Sequence, residues 1–93
     1  MGKTARPRPA HLCRKLLQIR EALDLSQSEI IERLGYEGKL VRTMISNYES
    51  GHREPPLPLI LAYARLAKIS TDYLLDDKLK LPNLQDGGSL TTR

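Results

Sequence analysis

Phenylalanine and tryptophan are absent from this sequence, and four tyrosines are its only aromatics. Any core it builds is therefore aliphatic, drawn from Leu, Ile, Val, Ala and Met. Cysteine occurs once, at Cys13. One thiol closes no internal disulfide and makes no zinc site alone, so an intracellular, metal-free protein is expected. Cys13 reads most simply as a small buried hydrophobe. No run approaches the roughly 18 apolar residues that a membrane-spanning helix needs. The opening Met1-Gly2-Lys3-Thr4-Ala5-Arg6-Pro7 lacks the apolar stretch of a secretory signal. Acid is missing from the start of the chain: Lys3, Arg6, Arg8, Arg14, Lys15 and Arg20 all precede Glu21, the first carboxylate. With 93 residues there is room for one small domain and none for a deep substrate cleft. No nucleophile–base pair, metal-ligand spacing or phosphate loop is visible, so neither an enzyme nor a cofactor is expected.

What is present is charge and helical periodicity. The formal net charge is +4 and the pI about 9.5. A cationic leading segment on a small domain suggests a polyanionic partner, nucleic acid before membrane; a solvated tail is the alternative. Arg6-Pro7-Arg8-Pro9 is too rich in proline for a helix, and residues 1–9 read as an extended arm.

From Ala10 the pattern is helical. Leu12, Leu16, Ile19 and Leu23 recur at spacings of four, three and four, with Arg14, Lys15, Gln18 and Glu21 elsewhere on the wheel. This helix ends near Leu23-Asp24. Ser26-Gln27-Ser28-Glu29 has capping-box spacing and opens a second helix, with Ile30, Ile31 and Leu34 buried and Gly35 closing it. Tyr36-Glu37-Gly38 is a connection. Lys39 to Ser50 then splits into an apolar stripe (Leu40, Val41, Met44, Ile45, Tyr48) and a polar one (Lys39, Arg42, Thr43, Ser46, Asn47), with Gly51 at its end. Leu57-Pro58 opens a fourth helix whose inner face is expected at Leu57, Ile60, Leu61, Ala64 and Ala67. Ser70 caps a last short helix carrying Asp72 in its first turn and anchored by Leu74 and Leu75. Residues 76–93 read as an irregular, mobile tail.

Five short helices with this punctuation resemble the helix-turn-helix domain of the Cro and phage-repressor (XRE) family. The resemblance covers about residues 10–75. It is carried by Ile19-Arg20, Leu25-Ser26-Gln27 with Ile30 and Leu34-Gly35, and Ile45-Ser46-Asn47-Tyr48-Glu49-Ser50-Gly51. It continues through Arg53-Glu54-Pro55 and from Ala67 through Ile69-Ser70 to Asp72-Tyr73-Leu74-Leu75. It implies an all-α, compact five-helix, lambda-repressor-like DNA-binding domain at 10–75, between a basic arm at 1–9 and a short tail at 76–93.

By the same resemblance, the helix around 39–50 is the recognition helix, and Arg42, Thr43, Ser46 and Asn47 fall on base-reading positions. Their chemistry suits guanine, adenine and thymine edges. Gln27 corresponds to the family's phosphate clamp, with a plain first-turn polar residue as the alternative. Lys39, His52 and Arg53 are expected at phosphates, although His52 also reads as an exposed loop histidine. Lys3, Arg6 and Arg8 could follow the backbone or enter a minor groove. Arg20 and Glu49 correspond to a family salt bridge between the first helix and the recognition helix.

One departure from the family stands out. The stretch from Gly35 to Ile45 is about four residues too long, where helix-turn-helix turns normally take 3–4 residues. Residues 36–41 either lengthen the loop or add a turn to the recognition helix. The amphipathic split favours the added turn. The expected function is a sequence-specific double-stranded DNA-binding transcriptional regulator, a repressor, cytoplasmic and nucleoid-associated. It would act at an operator as a homodimer on a two-fold site. The alternative is an antitoxin or protein-interaction module whose tail (Leu79, Leu81, Leu84) binds a partner protein. No membrane, metal or cofactor is expected.

Overall fold

A computed structural model describes residues 9–82 and residue 84. Among them are five helices and no strand: α1 (Leu12–Ala22), α2 (Gln27–Leu34), α3 (Arg42–Ser50), α4 (Leu57–Ala67) and α5 (Asp72–Leu75). No helix is long and apolar enough to cross a membrane among the described residues. The arm cations Lys3, Arg6 and Arg8, and most of the expected tail, lie outside the described residues.

α1 is the central pillar, packing against α3, α4 and α5, while α2 packs on α3 and α4. Its Leu12, Leu16 and Ile19 join Ile30, Ile45, Leu59, Ile60 and Leu74 in one core, which is not the purely aliphatic one expected, since Tyr63 and Tyr48 are buried in it. The helix ends where its sequence suggests. Asp24 takes a left-handed conformation at φ 59°, the Asp24 amide donates to the Glu21 carbonyl, and the Leu25 amide donates to the Arg20 carbonyl. That pair of bonds satisfies the last carbonyls of the helix.

α2 begins with a complete capping box. The Glu29 amide donates to Ser26 Oγ at 3.0 Å, and the Ser26 amide donates to Glu29 Oε1 at 2.7 Å. These bonds to the charged form hold the Glu29 carboxyl below the usual carboxylate range. Gly35 closes the helix at φ 80°.

The added turn at the start of α3 does not form. Residues 36–41 lengthen the loop, and Lys39, Leu40 and Val41 are not helical. The Tyr36 carbonyl accepts from the amides of Lys39 and Leu40 at 2.9 and 3.0 Å, making a tight turn with Gly38 at φ 79°. A left-handed residue there interrupts any helix running back from Arg42. Only the half-buried Leu40 of the Leu40-Val41 pair packs on the core; Val41 stays outside it.

α4 presents a different face from the one expected. Leu59, Ile60, Tyr63 and Ala64 are buried, whereas Leu57 and Leu61 are exposed and Ala67 is half-buried. The helix is apolar nearly all round, so periodicity alone left its rotation open. Tyr63 contributes the largest fully buried side chain, and burial pushes its phenol well up. In α5, Ser70 Oγ accepts from the Asp72 amide at 3.1 Å and Leu74 is fully buried, but Leu75 is exposed. Cys13 is half-buried, not enclosed, with its sulfur beside Gly51.

The chain after α5 is tied to α1. Lys15, expected off the apolar stripe, is 5% exposed. Its ammonium donates to the carbonyls of Tyr73 (2.7 Å), Asp76 (3.0 Å) and Leu79 (2.8 Å). All three protons thus meet an acceptor, which is the condition for keeping this charge out of water. Asp77 accepts from the Ala10 and His11 amides at 2.8 and 3.1 Å, just ahead of α1, where no local side chain caps the helix. Leu81 and Leu84 pack against the core cluster.

Candidate nucleic-acid interface

α3 is anchored from behind. Ile45 is fully buried, Tyr48 nearly so, and Met44 packs against the core. At its far end Glu49 meets α1 through a two-pronged ion pair. Arg20 Nε donates to Glu49 Oε2 at 2.7 Å and Nη2 to Oε1 at 3.1 Å, with side chains 17% and 7% exposed. The remaining Arg20 nitrogen, Nη1, donates to the Leu25 carbonyl at 3.0 Å. The hydrogen bonds to Glu49 raise the already high pKa of Arg20 further. Each of the three guanidinium nitrogens is therefore bonded within the fold, and the planar fork ties the orientation of α3 to that of α1.

With that rear attachment, α3 turns Arg42, Thr43 and Ser46 to solvent and leaves Asn47 half-buried. None of the Arg42, Thr43 and Ser46 side chains hydrogen-bonds to another described residue. Gln27, the first residue of α2, faces them across an open groove lined by Gln27, Val41, Arg42, Thr43 and Ser46. Gln27 is itself oriented by the ion pair, since its Nε2 donates to Glu49 Oε1 at 3.3 Å. One carboxylate of α3 thus bonds both Arg20 of α1 and the glutamine at the start of α2.

The other candidate residues flank α3 along the chain. Lys39 is exposed in the turn before α3. His52 and Arg53 are exposed just past its C-terminal end, closed by Gly51 at φ 86°. His52 Nδ1 lies 2.6 Å from Ser50 Oγ, and the Arg53 amide donates to the Asn47 carbonyl at 3.2 Å. Both loop residues are consequently held against the helix by short-range bonds. Arg53 also borders a second groove containing Pro9 and Ala10, so the base of the N-terminal arm emerges beside the end of α3.

The structure brings Gln27, Arg42, Thr43 and Ser46 together, whereas Asn47, Lys39, His52 and Arg53 do not line that groove. Val41 is the member of the groove that sequence reasoning missed. Its apolar type placed it on the buried stripe of a longer helix. The available signal was Gly38, whose left-handed turn makes Val41 the residue preceding the helix.

A model of the helix-turn-helix family matches residues 16–74. Among curated proteins, the chain resembles an uncharacterized HTH-type transcriptional regulator, YobD, of Bacillus subtilis (strain 168). The two are 30% identical over 80 residues, covering 80% of this chain and 68% of the relative. No solved structure gives a significant match.

Proposed function

Because the chain belongs to the helix-turn-helix family of the Cro and phage-repressor (XRE) type, we propose that it is a sequence-specific double-stranded DNA-binding regulator acting as a repressor. α3 is its recognition helix and enters the major groove from its N-terminal end. Arg42 is suited to guanine O6 and N7, Asn47 to adenine N6 and N7, and Thr43 and Ser46 to either hydrogen bonding or thymine contact. Gln27, Lys39, His52 and Arg53 hold phosphates on either side, fixing register without reading sequence. Lys3, Arg6 and Arg8 extend that cationic track along the duplex. The protein acts as a homodimer on a two-fold operator, its half-sites about 34–36 Å apart.

The observation that carries this reading is the groove itself. Gln27, Arg42, Thr43 and Ser46 converge on one open surface, and the Arg20–Glu49 pair fixes that surface from behind. The relative's description as an HTH-type transcriptional regulator supports the same class. Selection of bound duplexes from a random pool, followed by salt titration on the winner, tests it. A single preferred sequence is expected, with log affinity falling at a slope of about −0.9 per phosphate neutralised. Equal binding to random duplex would overturn the reading and favour a protein-interaction module.

A further inference from the structure

Val41 combines three properties that do not help the fold. It is 59% exposed although apolar and β-branched. It occupies the capping position of α3, in extended conformation at φ −121° and ψ 164°, with no side-chain hydrogen bond to the helix. Serine, threonine, asparagine or aspartate would satisfy an orphan amide at that position, which valine cannot do. Its neighbours Leu40 and Met44 pack against the core, while Val41 does not. Valine here sacrifices a cap without joining the core in return.

Its surroundings give the residue a use. The side chain lines the groove shared with Gln27, Arg42, Thr43 and Ser46, whose other walls are polar. Along the major groove the thymine C5-methyl is the apolar feature a protein can read. A β-branched side chain presents its methyls in few rotamers, so little freedom is lost on contact. We propose that Val41 is a specificity-determining residue whose methyl groups pack on a thymine methyl beside the bases read by α3. The inference rests on α3 being the recognition helix, and it adds a wholly apolar side chain to a set whose other methyl belongs to Thr43.

The experiment uses the full chain and a duplex selected from a random pool, with each thymine replaced in turn by uracil. This exchange removes only the C5-methyl. For the unaltered protein, one position is expected to lose about fourfold in affinity, the scale of one buried methyl group. In V41S, binding to the thymine duplex should weaken by a similar factor, and the thymine-to-uracil difference at that position should vanish. Thermal stability of V41S should hold or rise, because serine restores the cap. T43S, which removes the other methyl in the groove, should leave the Val41-dependent position sensitive.

Undiminished sensitivity to uracil in V41S would overturn the assignment, and loss of sensitivity in T43S instead would move the contact to Thr43. If no thymine position matters while one duplex is still strongly preferred, the inference falls and the DNA-reading function stands. If no duplex is preferred, both fall.

Discussion

At the seam between α1 and α5, Lys15 is 5% exposed and gives every ammonium proton to a backbone carbonyl. On the outer face of α3, Arg42, Thr43 and Ser46 stand in solvent with no hydrogen bond to another described residue. Both regions carry cations on short helices, yet the seam saturates its donors and the face leaves them open. A saturated donor serves the fold, because unpairing it would leave buried polar groups exposed to no solvent. An open donor in a groove is available to a ligand, because water can be exchanged there at small cost. The Arg20–Glu49 pair joins the two regimes: every guanidinium nitrogen is bonded within the fold, and the pair anchors α3 from the side opposite the face.

The contrast can be broken most severely at the seam. Lys15→Met keeps the stem but deprives three carbonyls of their donor. A loss of about 3–5 kcal/mol in urea unfolding is expected, with sequence preference intact in the protein that remains folded. Next in size is Glu49→Ala. It strands a largely enclosed guanidinium and should cost about 3 kcal/mol of stability, together with a loss of operator affinity as α3 and Gln27 lose their common support. Arg42→Ala should leave stability within about 0.5 kcal/mol while removing about 1–3 kcal/mol of discrimination at one base position, read by competition between duplexes.

The smallest effect concerns pH. The Ala10 and His11 amides hold the Asp77 carboxyl below the usual carboxylate range. Its contribution to stability is therefore present above the ordinary carboxylate pKa near 4 and fades as pH falls through the depressed value. Asp77→Asn should flatten that part of the acid-unfolding curve in thermal melts and leave the melting point at pH 7 only slightly changed.

Much of the fold was written in local chemistry. Ser26 and Glu29 cap each other three residues apart, and Gly35 closes the helix they open, so α2 follows from adjacent residues alone. The start of α3 was harder. Leu40 and Val41 continue its apolar periodicity, and only the backbone turn at Gly38 decides that they precede the helix. The face of α4 depended on which of many apolar side chains meets α1 and α2, a tertiary matter. Lys15 lies three residues after Leu12 and four before Ile19, within the buried stripe, so position marked it as internal while residue type argued otherwise. Its partners lie some sixty residues away and could not be read from the chain around it. At the candidate interface, Gln27, Arg42, Thr43 and Ser46 share one groove. The family pattern supplied them, whereas Val41 needed the observed backbone.

The bonds from Lys15 and to Asp77 also bear on synthesis. A ribosome exposes α1 to α4 before residues 73–79 have emerged, so the growing chain holds the groove-bearing helices while the acceptors for Lys15 are still missing. Until then the lysine keeps its charge in water, since the fold offers nothing to replace that hydration. The Tyr73 carbonyl emerges first and those of Asp76 and Leu79 follow, so a chain cut after Leu75 would keep one acceptor for Lys15 and lack the other two.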